Sequence, residues 1–435
     1  MLRLIVGLGI RLYYREIRIK NREILDTKSP KIIIANHPNT LMDAWMIGHI
    51  CNERIYYMAK GTFFSSRFKR WILGSLGMIP VNRKGDGKTD GISNEDSFEA
   101  CYRLLEEGKT LVIFPEGNSF QERMLRKLKS GTARIALQTE LRNDKKSGLQ
   151  IIPVGLVYTR PEKFRSSVLA NIGKPIDPTP FVDEFAENSL KAARQLTEEF
   201  RIGLSRLLVS SEEKEEEKLV DDIVHLLSSE YIKTTEKGVD RDVTEMRDVF
   251  EQMNSIRISQ PWRLNEISLL VESLKVRIKY LNIKSDFLDR KYRTSLFVRQ
   301  LILSMTVLLL GLPFFLFGML HNFPQYKMVD FVITKNIKDV EYHAPASVLL
   351  SLILYPLAYV CWLFAFFALF DLNVWWNTLY FISLPLFGLF AFYYLKYFRH
   401  VSLKRKYIFL MRKRKSDIET LKQERESLRK LVFEI

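Results

Sequence analysis

Histidine and cysteine are scarce in this sequence, and their positions exclude several kinds of site. The six histidines include no pair at the spacing of a zinc site. The three cysteines are scattered and odd in number, so they indicate neither a disulfide framework nor a Cys-x-x-Cys site, and a reducing compartment fits them. The N-terminus has no small-residue cleavage pattern and carries Arg3 within its apolar run, so it is not typical of a signal peptide.

Three common catalytic or nucleotide-binding motifs are also missing. There is no Gly-x-Ser-x-Gly elbow, which argues against an esterase-type serine nucleophile. No dinucleotide fingerprint follows the first apolar strand. The run from Gly85 to Thr89 resembles the end of a phosphate-binding P-loop, but Asn82 stands where that motif needs its first glycine.

Acidic residues are too few to balance the basic ones, and the excess is concentrated in two places. Lys plus Arg number 66 against 50 Asp plus Glu, a formal net charge of +16. Residues 1–24 hold six basic and two acidic residues, and residues 399–415 hold eight basic residues and no acid. Both clusters adjoin strongly apolar sequence, which favours a membrane surface with anionic lipid over nucleic acid as the partner. Residues 1–24 are therefore predicted to be an amphipathic, membrane-associating segment.

Long uncharged stretches occur only late in the chain, at residues 301–320, 346–370 and 374–395. Each is long enough to cross a bilayer as a helix, which takes about 20 residues. The basic residues before the first stretch and after the third place both flanks on the cytoplasmic face. Three crossings cannot achieve that, so either one stretch is re-entrant or monotopic, or one flank departs from the rule.

The rest of the chain divides by composition into four further parts. Residues 25–180 alternate short β-branched or apolar runs with helical patterns, which predicts an α/β domain with a largely parallel sheet and flanking helices. Residues 181–295 are charged and helical in period, which favours a helical bundle or linker. Residues 296–398 are the predicted membrane segments, and residues 399–435 a basic C-terminal helix. Strands are predicted at residues 31–35, 54–58, 78–81, 110–114, 149–157 and 167–172.

The turn after the first predicted strand carries His37, with Asp43 six residues later. A histidine acts as a general base near neutral pH when a carboxylate fixes its tautomer and orientation. Asp43 is placed to do that. The competing interpretation is that Thr40 is a helix N-cap and Asp43 an acid in the first helical turn.

A second turn, after the predicted strand at 110–114, contains Glu116 and Gly117. Ligands of open α/β sheets bind beyond the carboxyl ends of the strands, and both turns have that position. Arg83, after another strand, and Lys129, ahead of a small-residue helix, are candidate phosphate contacts. The alternative for all of them is an ordinary strand-ending turn with solvated charges.

Taken in order, these residues resemble the four sequence blocks of the glycerolipid acyltransferases that make lysophosphatidate and phosphatidate. Five residues separate His37 from Asp43, where the common family motif has four, and this spacing is similar to the branch containing fungal glycerol-3-phosphate and dihydroxyacetone-phosphate acyltransferases. That branch often has a histidine where this chain has Phe120, so a role for that second histidine is absent here. The four blocks are Asn36-His37…Asp43, Gly77…Arg83, Phe114-Pro115-Glu116-Gly117 and Ile152-Pro153-Val154-Gly155.

The resemblance implies the function of the residues as well as the fold. It implies transfer of a fatty acyl group from acyl-CoA or acyl carrier protein to a hydroxyl of glycerol-3-phosphate or its 1-acyl derivative, with His37 as general base and Asp43 as its orienting partner. It requires no metal or bound cofactor, and its partners are the two substrates and the lipid bilayer. Homo-oligomerisation stays open, and the alternative function is an inactive membrane scaffold. The residues expected to hold the glycerol phosphate are Arg83, Glu116, Gly117, Lys129 and Arg165.

Overall fold

The computed structural model describes residues 2–82, 93–209, 214–227, 238–288, 294–370 and 373–434. The chain divides into two compact units. The first consists of Met1–Lys214 with two short later pieces, Lys237–Val243 and Asp339–Pro345. The second holds the remaining helices, including the three apolar ones.

A seven-stranded sheet forms the centre of the first unit, with the strands in the order β1-β7-β6-β2-β5-β3-β4. All neighbours are parallel except β6 and β7, which confirms the predicted α/β class with a largely parallel sheet. β2 lies between β5 and β6, and all five of its residues are buried because it carries three consecutive isoleucines. The strands are β1 (Glu16–Lys20), β2 (Lys31–Ala35), β3 (Ile55–Lys60), β4 (Met78–Val81), β5 (Thr110–Ile113), β6 (Gln150–Tyr158) and β7 (Ser167–Ile172).

The N-terminal segment differs from the sequence prediction. Residues 1–24 were expected to precede the α/β domain, but they contain β1, which pairs with β7 as the edge strand of the sheet. Before it, helix α1 (Leu2–Tyr13) exposes Leu8 and Leu12 and buries Ile10. The sheet therefore begins at Glu16, ahead of the predicted boundary at residue 25.

The ranges of the first unit that the structure describes also contain the helices α2 (Leu41–Ile50), α3 (Arg67–Ser75), α4 (Asn94–Glu106), α5 (Gly131–Arg142), α6 (Val182–Glu187) and α7 (Ser189–Ser205). α7 buries Leu196, Phe200 and Leu204 in the same apolar cluster as Ile32 of β2 and Leu111 of β5. The α/β domain thus continues past the predicted boundary at residue 180, because its core is completed by helices assigned from sequence to the following region.

Every regular element of the second unit in the described residues is a helix. Three of its helices, α11 (Thr294–Asn336), α12 (His343–Phe370) and α13 (Val374–Lys413), are long and apolar enough to cross a membrane. They contain the three predicted stretches, but α11 and α13 run further, to 43 and 40 residues. The first part of the predicted C-terminal helix continues α13, and the rest is α14. The other helices are α8 (Lys214–Leu227), α9 (Gly238–Ser259), α10 (Pro261–Leu281) and α14 (Lys415–Phe433).

Hydrogen bonds from polar side chains join the apolar helices. Tyr394 of α13 donates to the Leu308 carbonyl of α11 at 2.7 Å, and Lys404 donates to Gln300 at 2.6 Å, so the two helices run antiparallel. Asn322 of α11 donates to the Leu384 carbonyl at 3.1 Å and accepts from the Tyr359 hydroxyl of α12 at 2.6 Å. One polar side chain therefore connects all three helices.

Candidate active site

The candidate site begins at the carboxyl end of β2, where Asn36 fixes the path of the chain. Its side chain donates to the Leu156 carbonyl of β6 at 2.9 Å and accepts from the Leu156 amide at 2.7 Å. In this pair of hydrogen bonds, the Asn36 side chain takes the place that main-chain groups have between β2 and β6. His37, the next residue, is consequently held at a defined point beyond the sheet.

His37 and Asp43 are in contact, as the sequence predicts. Nδ1 of His37 lies 2.9 Å from Oδ2 of Asp43, whose side chain is fully buried. The same oxygen accepts the Asn39 amide at 2.7 Å, and Oδ1 accepts the Tyr158 hydroxyl at 2.7 Å. An ionised carboxylate in the interior needs such donors. With Nδ1 donating to Asp43, Nε2 is the imidazole nitrogen that can take up a proton.

Thr40, the residue predicted as an alternative N-cap, has a different role. Its φ of 44° and ψ of −122° place it at the second position of a type II′ turn, closed by the Met42 amide and the Asn39 carbonyl at 3.0 Å. Glycine is the usual residue there, and a β-branched residue costs about 1–3 kcal/mol. The Thr40 hydroxyl makes no cap but donates to the Glu341 carbonyl at 3.0 Å, and its amide donates to Ser119 Oγ at 3.0 Å.

Glu116 supports the histidine turn from β5, the neighbouring strand. Its Oε1 accepts the His37 amide at 2.9 Å, and Oε2 accepts the Arg126 amide at 3.4 Å. Burial raises the pKa of the Glu116 carboxyl, and these two amides oppose the shift. The His37 ring also stacks on Phe114, with ring centroids 4.0 Å apart. The turns after β2 and β5 therefore form one hydrogen-bonded structure.

The predicted phosphate contacts are only partly brought together. Gly117 has φ +79°, and the Lys129 side chain lies over it, with Cε 2.7 Å from the position that a Cβ would take. Arg165 is placed elsewhere: its amide donates to Tyr13 and its guanidinium to Leu12, both at the end of α1, so these bonds do not support a phosphate role. Arg83 lies outside the residues that the structure describes.

Two features of the site were not anticipated from the sequence. Tyr158 completes the set of donors to Asp43, and burial raises its pKa well above the ordinary tyrosine value. At Phe120, where the related branch often has histidine, the ring lies 3.6 Å below the Arg126 guanidinium. A signal for Tyr158 existed, since it ends the strand that contains the fourth sequence block, but its partner could not be known without the strand order.

Comparison with known proteins finds acyltransferases of similar sequence. Residues 16–157 match the family model described as Acyltransferase. An uncharacterized acyltransferase of Schizosaccharomyces pombe is 35% identical over 99 residues, 22% of this chain and 14% of that protein. Glycerol-3-phosphate O-acyltransferase 1 of Saccharomyces cerevisiae is 28% identical over 137 residues, 31% of this chain and 18% of that protein.

Two further relatives carry the other acceptor in their names. A 1-acyl-sn-glycerol-3-phosphate acyltransferase of Chlamydomonas reinhardtii is 22% identical over 147 residues, 34% of this chain and 40% of that protein. The crystal structure of the 1-acyl-sn-glycerophosphate acyltransferase PlsC from Thermotoga maritima has 20% identity and a TM-score of 0.33, covering 46% of this chain and 79% of that chain. The matches span 14% to 40% of the length of these sequence relatives. The family match confirms the resemblance that the four sequence blocks indicated.

Proposed function

We propose that this chain, whose residues 16–157 form an acyltransferase-family domain, is a membrane-bound glycerolipid O-acyltransferase. It moves a fatty acyl group from an acyl thioester to a hydroxyl of glycerol-3-phosphate or 1-acylglycerol-3-phosphate. The observation that carries the proposal is the 2.9 Å contact between His37 Nδ1 and a fully buried Asp43, at the carboxyl edge of the sheet. Three long apolar helices support attachment to a membrane.

In the proposed reaction His37 acts as a general base. Nε2 removes the proton from the acceptor hydroxyl as its oxygen attacks the thioester carbonyl, and Asp43 stabilises the imidazolium that forms. When the tetrahedral intermediate collapses, the carbon–sulfur bond breaks and the thiolate takes the proton back from His37. The products are an ester and a thiol, and the histidine returns to its neutral form. No metal or cofactor takes part.

Glu116 is proposed to position His37, because its carboxylate accepts a hydrogen bond from the His37 amide. It is not proposed to bind the phosphate, because a carboxylate and a phosphate repel each other. Lys129, lying over Gly117 in the same turn, is the proposed phosphate contact among the described residues. Arg83 remains a proposed second contact on the strength of the sequence block alone. The proposal includes both acceptors, glycerol-3-phosphate and its 1-acyl derivative, because the chain matches one relative named for each.

The decisive experiment replaces His37 by Ala in the full chain and measures the ester formed from acyl-CoA and each acceptor, side by side. Loss of both activities with the protein still in membranes is expected, since His37 is the histidine that contacts Asp43 among the described residues. His225→Ala, an exposed histidine of α8, is the matched control and should keep full activity. Unchanged transfer in the His37 variant would rule out the mechanism.

The alternative is a membrane scaffold that keeps the acyltransferase fold without the activity. Phe120 and the extra residue between His37 and Asp43 are the features that favour it. Purified wild-type protein that releases no thiol from acyl-CoA or acyl carrier protein, with either acceptor in lipid vesicles, would support the scaffold. Thiol release that depends on the acceptor would exclude it.

A further inference from the structure

Helix α3 and the short 3-10 turn before it, Gly61–Phe64, leave large apolar side chains uncovered. Phe63, Phe68 and Trp71 are 50%, 69% and 70% exposed. No residue of α3 is buried, so the helix contributes little to the core. An exposed aromatic cluster of this kind on a folded domain marks a surface that contacts something other than water.

The charges around this cluster have one sign. Residues 54–82 contain no aspartate or glutamate. Arg67, Lys69 and Arg70 are exposed on α3. Their described side-chain hydrogen bonds go to neutral oxygens, from Lys69 to Ser65 and from Arg70 to the Phe64 carbonyl, and none of the three pairs with a carboxylate in the part of the chain that the structure describes.

The position of this segment follows from the sheet. β3, β5 and β2 are adjacent and parallel, so their carboxyl ends lie along one edge. The Gly61–Phe64 turn leaves β3 at that edge, where Glu116 and His37 follow β5 and β2. The segment with the exposed aromatic side chains therefore follows the same edge of the sheet as the candidate site.

We propose that α3 and the Gly61–Phe64 turn bind the surface of a bilayer containing anionic lipid, independently of the apolar helices. Aromatic residues prefer the interface between headgroups and acyl chains, and exposed cations beside them are attracted to anionic headgroups. A protein partner would need a strongly acidic surface, because the segment presents three cations and contains no acidic residue. The contact turns the active edge of the sheet towards the membrane and shortens the path of a long acyl chain to His37.

The test uses a depth probe in the full chain, because the apolar helices would keep any variant on the membrane. A nitroxide spin label is attached at Phe68→Cys in a background where Cys51, Cys101 and Cys361 are replaced by Ala. The protein is reconstituted in vesicles of phosphatidylcholine and phosphatidylglycerol. The label should be accessible to oxygen and shielded from an aqueous nickel chelate. The control label at Glu107→Cys, exposed near the amino end of β5, should be accessible to the chelate.

A second arm tests the charges. Each cation near an anionic surface is worth about a fivefold preference, so replacing Arg67, Lys69 and Arg70 by Gln should shift the ratio of inserted to detached α3 by about a hundredfold. Replacing three exposed lysines elsewhere in the unit (Lys109, Lys146 and Lys174) should leave the ratio unchanged.

Two outcomes would overturn the proposal. In one, the label at position 68 is as accessible to the nickel chelate as the label at 107. In the other, it is shielded from oxygen and chelate alike, which indicates a protein contact. Neither readout uses enzymatic activity, so the proposal stands or falls separately from the proposed reaction.

Discussion

Tyr158 supplies the one donor to Asp43 that comes from another strand. The other two donors, His37 and the Asn39 amide, belong to the turn that leads into α2, the helix that contains Asp43, whereas Tyr158 ends β6. Its hydroxyl therefore fixes the carboxylate relative to the sheet, and through it the imidazole. A buried carboxylate that loses a donor is left partly unsolvated, which is costly in a low-dielectric interior.

Replacing Tyr158 by Phe should lower the free energy of unfolding by about 1–3 kcal/mol, the cost of an unsatisfied buried acceptor. The rate of acyl transfer should fall as well, because the imidazole loses its fixed orientation. Thermal unfolding and kcat with saturating acceptor measure the two effects. Tyr14→Phe removes a buried hydroxyl that contacts Asn39 and not Asp43, and its kcat should change far less. Equal kcat losses in both variants would contradict the argument.

Glu116 should make the stability of the fold depend on pH. Burial raises the pKa of its carboxyl in the folded state, so the unfolded chain ionises first as pH rises. Stability is highest below the unfolded pKa and declines until pH passes the raised folded value. Glu116→Gln removes this decline. The unfolding free energy of the variant minus that of the wild type should therefore be larger at pH 7 than at pH 4. The same value at both pH values would contradict this prediction.

The sequence predicted His37, Asp43 and Glu116 because each follows a recognisable strand inside a motif. Their mutual contacts required only that the two strands be neighbours in a parallel sheet. Tyr158 and Thr40 could not be predicted in the same way. The Tyr158 contact joins residues 115 positions apart through the order of β6 and β2, and a threonine in a glycine conformation has no local sequence signal.

Among the elements, strands with β-branched runs were predicted almost to the residue, whereas β1 was missed. Its sequence, Glu-Ile-Arg-Ile-Lys, alternates polar and apolar residues within a basic segment that also suits an amphipathic helix. Pairing with β7 makes this segment a strand instead of a helix, and β7 lies about 150 residues further along the chain.

Asn322 should determine how firmly the apolar helices associate. Its amide bonds to α13 and to the Tyr359 hydroxyl of α12, and Gly388 of α13 allows the approach, since a Cβ there would lie 2.6 Å from the Asn322 side chain. Hydrogen bonds between helices in a membrane contribute about 0.6–2 kcal/mol. Asn322→Leu should thus lower the thermal midpoint in lipid nanodiscs.

The matched control for that variant is Thr306→Leu. Thr306 lies on the same helix, and its hydroxyl bonds to the Ile302 carbonyl of its own helix. It should leave the thermal midpoint nearly unchanged. If both substitutions lower the midpoint alike, the connection between helices is not what Asn322 provides.

At the scale of the whole molecule, both basic flanks of the apolar region should face the same compartment. α11 and α13 are antiparallel, and Gln300 contacts Lys404, so the start of α11 and the basic continuation of α13 lie at the same end of the pair. The positive-inside rule favours the cytoplasm for that end. If α11 and α13 each cross the membrane once, both ends of α12 lie on the same side of it, so α12 does not cross.

Cysteines introduced at Arg299 and Arg405, both exposed, test this arrangement. In sealed vesicles, a membrane-impermeant thiol reagent should label both positions from the same side, with Cys361 replaced by Ala to remove the background. A cysteine at Trp375, near the other end of α13, should be labelled only after the vesicles are opened. Labelling of positions 299 and 405 from opposite sides would contradict the antiparallel pair.

The overall division into an α/β part and an apolar part was predictable from composition alone, but the boundaries were not. Hydropathy locates apolar stretches, yet α11 and α13 continue well beyond them because charged residues extend a helix as readily as apolar ones. Likewise, α6 and α7 belong to the α/β core through Phe200 and its neighbours, although their amphipathic pattern also fits a separate bundle.

The hydrogen bond between Thr40 and Glu341 also sets an order of assembly. Synthesis proceeds from the N-terminus, so the sheet and the pair of His37 and Asp43 can form once residue 172 has emerged. The contact of Thr40 with Glu341, 301 positions away, has to wait until α11 has been made. The strained turn beside the histidine receives its last bond only then. Completion of the turn that carries His37 is in this way timed to follow synthesis of the first apolar helix.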